Sequence, residues 1–156
     1  MKVSLPFLLS FLLLFACKKD DAPAKVYPPL TNDPIAAQVL KQGNDYRATI
    51  SASALTNSAV IEKFALQHSY DMAITKTLNH DGFNTRVDSI GTYISYKSAG
   101  ENVAYGPYDA AYIVSAWLNS PDHKAAIEGN YNLTGIGVVK DSTSDVYYYT
   151  QIFIRK

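Results

Sequence analysis

Apolar positions change their period along this chain, and the changes divide it. From Val3 to Ala16 nearly every residue is apolar. Residues 18–32 have few apolar residues and no period, with Pro23, Pro28 and Pro29 among them, the composition of a flexible spacer. Asp33-Pro34 is a helix start, with Asp as N-cap and Pro at the first helical position. Ile35, Val39, Tyr46 and Ile50 follow at helical spacing, which predicts a helix over about 34–50, loosened at Gly43. Asn57 or Ser58 caps a second helix with the stripe Ile61, Phe64, Ala65, His68, Met72 and Thr75, ending near Leu78. Thr85 caps a short helix through Ile90, stopped by Gly91. Tyr93–Tyr96 reads as a strand, and Ser98–Gly106 as a loop or irregular strand. Asp109 to Asn119 puts Ala110, Ile113, Val114, Trp117 and Leu118 on one helical face. Ser120-Pro121 opens a further short helix, and Gly129 ends it.

The period then falls from helical to two. Ile136–Val139 and Val146–Ile154 flank the polar turn Asp141-Ser142-Thr143-Ser144, a β-hairpin signal. Tyr147, Tyr149, Gln151 and Phe153 face one way, and Tyr148, Thr150, Ile152 and Ile154 the other. Helices first and a hairpin last predict an α+β domain of antiparallel strands packed by helices.

A length of 156 residues allows one domain plus a tail. Formal net charge is zero, so no basic field attracts nucleic acid, which is excluded as a partner. With one cysteine, Cys17, no intramolecular disulfide forms and packing alone must hold the core. The 12 tyrosines, against 6 Phe and one Trp, suit a half-exposed sheet or a binding surface, since Tyr joins an apolar face to a polar tip.

The apolar run is too short to span a bilayer, which takes about 20 residues. With Lys2 before it, it has the form of a signal peptide. Leu14-Phe15-Ala16-Cys17 resembles a bacterial lipobox, although Phe15 is bulkier than is usual at its place. That resemblance implies removal of residues 1–16 and acylation of Cys17, with the acyl chains (palmitate among them) as a membrane anchor. Lys18-Lys19-Asp20-Asp21 resembles a surface-export signal of some Gram-negative lipoproteins. The expected organisation is a signal peptide over 1–16, lipidated Cys and tether over 17–32, and a domain over 33–156. The expected location is extracytoplasmic, on the outer membrane, with display at the cell surface.

Chemistry is sparse locally. There is no His-Glu-x-x-His, no paired Cys, no Gly-x-Ser-x-Gly elbow and no phosphate-cradling Gly loop. His68 lies on an apolar stripe and is read as structural. From spacing alone, His80, Glu101 and His123 are three scattered polar residues.

A resemblance brings them together. Asn44-Asp45-Tyr46-Arg47, Ala65–Ala73, His80, Gly100-Glu101-Asn102-Val103-Ala104-Tyr105-Gly106, Ala116–Ile127 with its Trp-x-x-Ser-Pro-x-His, Gly135–Val138 and Tyr149–Phe153 occur in this order. They resemble the compact bacterial branch of the CAP (SCP-like) superfamily over about 33–156. The resemblance implies an α-β-α sandwich with a short antiparallel sheet packed between helices. It also implies a cleft in which His80, Glu101 and His123 meet, as metal ligands or as catalytic groups. The second acid of that cleft is missing. Asn119 stands nearest its place, and Asp122 is the one nearby substitute.

Two imidazoles and a carboxylate suit Zn²⁺ or another divalent metal. Without metal, Glu101 between histidines suits a general base. Three functions stay open. One is a surface binding module for a lipid, glycan or protein ligand, with Tyr105, Tyr108 and Tyr147–Tyr149 as contacts. The second is a metal- or Glu101-dependent, peptidase-like hydrolase. The third is a structural surface protein.

Overall fold

The computed structural model describes residues 25–156. The signal segment, Cys17 and the start of the spacer lie outside the described residues. Among the described residues, five helices flank one mixed four-stranded sheet: α1 (Ile35–Thr49), β1 (Thr56–Asn57), α2 (Ala59–Thr75), α3 (Phe83–Gly91), β2 (Ser98–Gly106), α4 (Ala110–Leu118), α5 (Pro121–Glu128), β3 (Leu133–Lys140) and β4 (Tyr147–Arg155). The strand order is β1-β3-β4-β2. The last three strands are antiparallel, and two-residue β1 joins β3 in parallel.

The alternation of β4 sorts the core into two layers. Tyr149 and Phe153 pack with Ile136, Val138 and residues of α1, α4 and α5, including Val39, Ile113, Trp117 and Ile127. Ile152 and Ile154 pack on the other face with Ile61 and Ala65 of α2 and Val87 and Ile90 of α3. The result is the predicted sandwich: α1, α4 and α5, then the sheet, then α2 and α3.

The α2 layer sits unusually close to the sheet. A Cβ at Gly135 would lie 2.1 Å from Glu62 N, and one at Gly137 would lie 2.2 Å from Leu66 N. Both clashes are with helix backbone, and the two sites on α2 are one turn apart. Two glycines at i and i+2 on β3 thus leave a flat seat for one turn of helix. Ser69 closes the seat by donating to the Gly137 carbonyl at 2.8 Å.

The first helix begins where the cap pattern predicts. Pro34 already has helical φ and ψ, and Asp33 Oδ1 accepts the Ile35 N–H at 2.9 Å. It runs unbroken through Gly43, so the expected loosening does not occur. Arg47, 2% exposed, donates to the carbonyls of Ser53, Ile127 and Gly129 and ties α1 to the end of α5. The second helix stops at Thr75, three residues before the expected Leu78, because Lys76 turns left-handed at φ 55°. The third starts at Phe83 rather than at Thr85. Gly82 at φ 71° supplies the turn, and Gly91 is still helical.

Two strand expectations are corrected. Tyr93–Tyr96 is not a strand: the Tyr93 and Ile94 amides both donate to Ile90 O and prolong the turn after α3. Ile94 and Tyr96 serve as packing against the α2–α3 core instead. Ser98–Gly106, expected as loop or irregular strand, pairs along its whole length with β4, from Ser98↔Arg155 to Gly106↔Tyr147.

Residues 25–32 have no regular element, yet they lie against the domain. Asn32 Oδ1 accepts the Val138 N–H at 2.8 Å, and Asn32 Nδ2 donates to Ile136 O at 2.7 Å. One side chain thereby occupies the part of the β3 edge that short β1 leaves uncovered.

Candidate functional site

The free edge of β2 is where the two helical layers meet, and Glu101 and Asn102 divide between them as strand neighbours must. Glu101 turns toward the α2–α3 layer. Asn102 turns toward α5, where its Nδ2 donates to His123 O at 3.1 Å. That contact places the first turn of α5, opened by Ser120 and Pro121 as predicted, beside the strand.

Glu101 is the centre of the cluster. Its side chain is only 2% exposed. Arg86 on α3 holds both oxygens, with Nη2 at 2.8 Å from Oε1 and 2.7 Å from Oε2, and Nε at 3.1 Å from Oε2. Arg86 Nη1 also donates to Asp81 O at 2.5 Å, which secures the turn after His80. Such a planar, multiply bonded pair is the strong form of ion pairing. His80 Nδ1 lies 2.9 Å from Glu101 Oε1. A carboxylate only accepts, so Nδ1–H donates and Nε2 is left as the outward-facing nitrogen of half-exposed His80.

His123, partly buried at the start of α5, has its pKa lowered, first by burial and then by the nearby charge of His80. Asp122 opposes that shift but is exposed, as is Asn119. Neither position supplies a buried second acid.

The structure thus brings His80 and Glu101 into direct contact and sets His123 close by. It does not assemble them as a three-ligand metal centre. Glu101 is saturated by Arg86 and His80, and among the described residues no group of three or more His, Cys, Asp or Glu is placed to hold a metal ion. With both oxygens committed, Glu101 has no lone pair free to serve as a third ligand.

Arg86 was not anticipated from the sequence, although a signal for it exists. A glutamate flanked by Gly100 and Val103-Ala104 is bound for the interior, and a buried carboxylate requires a cation. Between His80 and Glu101 the only Arg or Lys residues are Arg86 and Lys97. Of the expected tyrosine contacts, Tyr105 and Tyr108 are exposed, but Tyr148 and Tyr149 are 4% and 0% exposed and belong to the core. Exposed Tyr112, stacked on Tyr108 at 3.9 Å between ring centroids, joins Tyr105 and Tyr108 on the surface.

Residues 40–153 match the CAP, cysteine-rich secretory protein, family. The chain belongs to this family. It is 31% identical over 123 residues to YlbC, described as an uncharacterized membrane protein of Bacillus subtilis. That match takes in 76% of this chain and 34% of the relative. It is 30% identical to YkwD of the same organism, again over 76% of this chain and over 46% of the relative. The chain therefore spans about a third to a half of these relatives. Among solved structures, an extracellular SCP-domain protein of Bacillus anthracis aligns with TM-score 0.71 and 25% identity, over 83% of this chain and 45% of that one. An outer surface protein of Borrelia burgdorferi aligns with TM-score 0.72 and 22% identity, over 81% of this chain and 96% of that one, and shares the fold.

His68 of this CAP domain is buried, with Nε2 2.9 Å from Asn79 O. Its pKa is lowered, first by desolvation and then by the charge of Arg86. His68 and His123 are therefore both held neutral in the fold, while in the unfolded chain an imidazole takes up a proton near pH 6.5. Below that value the unfolded state binds more protons, so stability falls as pH falls. Thermal melts should drop steadily from pH 7 to pH 5, with a shallower slope in His68→Phe. A melting temperature constant across that range would contradict this.

Proposed function

We propose that this CAP protein is an extracytoplasmic binding module, lipid-anchored through Cys17 to the outer membrane and displayed at the cell surface. In this reading the His80–His123 cleft is its polar centre, and the ligand is a lipid, glycan or protein. The observation that carries the choice is the saturation of Glu101. A general base needs a free lone pair directed at a substrate or water. Here both oxygens face Arg86, and one also accepts from His80. Glu101 is then a positioning residue that fixes the tautomer and direction of His80, as carboxylates do behind metal-bound and catalytic imidazoles. A divalent cation such as Zn²⁺ would draw on the His80 and His123 imidazoles, with Glu101 behind them.

The location rests on the lipobox-like Leu14–Cys17 and on similarity to a Bacillus anthracis protein described as extracellular. In this reading the acyl chains on Cys17 do the anchoring; no helix among the described residues is long and apolar enough to cross a membrane.

Two assays test the proposal together. Cells fed an alkyne-bearing palmitate should label the wild-type chain and not Cys17→Ser. The purified full chain and Glu101→Gln should both show no turnover above blank on fluorescent casein and nitrophenyl esters. Turnover lost in Glu101→Gln would make the protein a hydrolase, and equal labelling of Cys17→Ser would remove the anchor.

A further inference from the structure

A concavity of about 550 Å³ lies beside Arg86, between α2 and α3. That is within the range of small-ligand sites, roughly 300–1,000 Å³. His68 lines it, and the state of that ring is fixed by its partner. Asn79 O can only accept, so Nε2 carries the hydrogen. Burial of the ring favours its neutral form, and with the hydrogen on Nε2 the neutral ring carries a bare acceptor at Nδ1. No described residue hydrogen-bonds to Nδ1. Nor does any fully buried side-chain nitrogen or oxygen among the described residues lack a partner. Nδ1 is accordingly not fully sealed from solvent, and His68 is part of the wall of this cavity. A residue only 4% exposed thus keeps a lone pair without a protein partner in the wall of a small-molecule-sized groove.

The rest of the lining narrows the ligand. Its charges are already compensated: Lys25 pairs with Asp71, and Arg86 with Glu101. Asp81 stands exposed at the rim. A charged ligand would have to displace one of these pairs, so a neutral one is favoured. Gln67 and Thr85 add an amide and a hydroxyl to the lining, and each can both donate and accept. Phe64 adds an aromatic face, with the Tyr93 ring 6.5 Å away. One acceptor, two donor-acceptors and an aromatic wall match a ring that carries several hydroxyls. Lys25 and Tyr27 arch over the groove and both bond to Asp71, so the segment leading from the N-terminus forms its roof.

We propose that the α2–α3 groove is a binding site for one neutral saccharide unit, which donates a hydroxyl to His68 Nδ1. The groove adjoins the Glu101 cluster through Arg86 and Asp81, which line it, but it uses His68 and neither His80 nor His123, and it does not depend on the function proposed for them. The test uses the ¹⁵N-labelled full chain in a zwitterionic, sugar-free detergent. Imidazole nitrogen spectra are followed while glucose, N-acetylglucosamine or its β-1,4-linked disaccharide is added. The expected result is a saturable shift of His68 Nδ1 with at least one of the three, while His80 and His123 stay in place. Gln67→Ala, a change at a partly exposed position, should weaken that binding about tenfold by removing the amide hydrogen bonds. Three results would overturn the proposal: no saturable shift with any of the sugars, a shift at His80 or His123 in place of His68, or binding indifferent to Gln67→Ala.

Discussion

Gly137→Ala lowers the melting temperature of this domain by about 10 °C or more. The added Cβ would sit 2.2 Å from Leu66 N, 2.3 Å from Leu66 Cα and 2.4 Å from Ala65 C. These are backbone atoms in the middle of α2, so no rotamer change relieves the clash. The helix must lift off the strand, which opens the layer containing Ile61, Ala65, Ile152 and Ile154. Overpacking of this kind costs about 3 kcal/mol or more, and at this domain size each kcal/mol moves the melting temperature by roughly 3–4 °C. Gly43→Ala is the matched control. Its Cβ would meet nothing within 4 Å, and replacing a mid-helix glycine stabilises by about 0.5–1 kcal/mol. Thermal melts of the two variants should move in opposite directions. A Gly137→Ala domain as stable as wild type would mean that α2 does not rest on β3 as described.

The second large effect is at the site. Arg86→Met leaves Glu101 as a buried carboxylate without its cation, and breaking one side of such a pair costs about 3–5 kcal/mol. The double variant Arg86→Met/Glu101→Leu removes both charges and should recover most of that loss, because an apolar pair needs no desolvated ion. Chemical denaturation of the two single variants and the double variant completes the cycle. A loss below about 1 kcal/mol in Arg86→Met would show that the guanidinium is not what holds Glu101.

The elements that could be read from the sequence are those whose signals are local. Asp33-Pro34 and Ser120-Pro121 carry their caps within two residues. The Trp117 face repeats at helical spacing, and β4 alternates strictly between core layers. Ser98–Gly106 was harder because Ser, Ala, Gly, Glu and Asn have little strand preference of their own. Its conformation is imposed by β4, about fifty positions later. Two-residue β1 depends on its partner in the same way. Tyr93–Tyr96 differs in the opposite sense: its aromatic and β-branched residues suggest pairing, but Ile94 and Tyr96 pack against the α2–α3 core from a turn while Tyr93 stays exposed. At the site, no spacing rule links His80 to Glu101, and only the family resemblance placed them together. Arg86 belongs to neither motif. Its role follows from the burial of Glu101, which the sequence only implies.

The state of His80 shows most directly whether Glu101 positions an imidazole or is available as a base. Imidazole nitrogen spectra of the wild-type chain near pH 7.5 read its tautomer without reference to any ligand. The prediction is a ring protonated at Nδ1 and bare at Nε2, with that preference lost in Glu101→Leu. A wild-type His80 protonated at Nε2, or averaging between tautomers, would mean that Glu101 does not position it. Oε1 would then have a lone pair not taken by His80, and the saturation of Glu101 on which the binding-module reading rests would be incomplete.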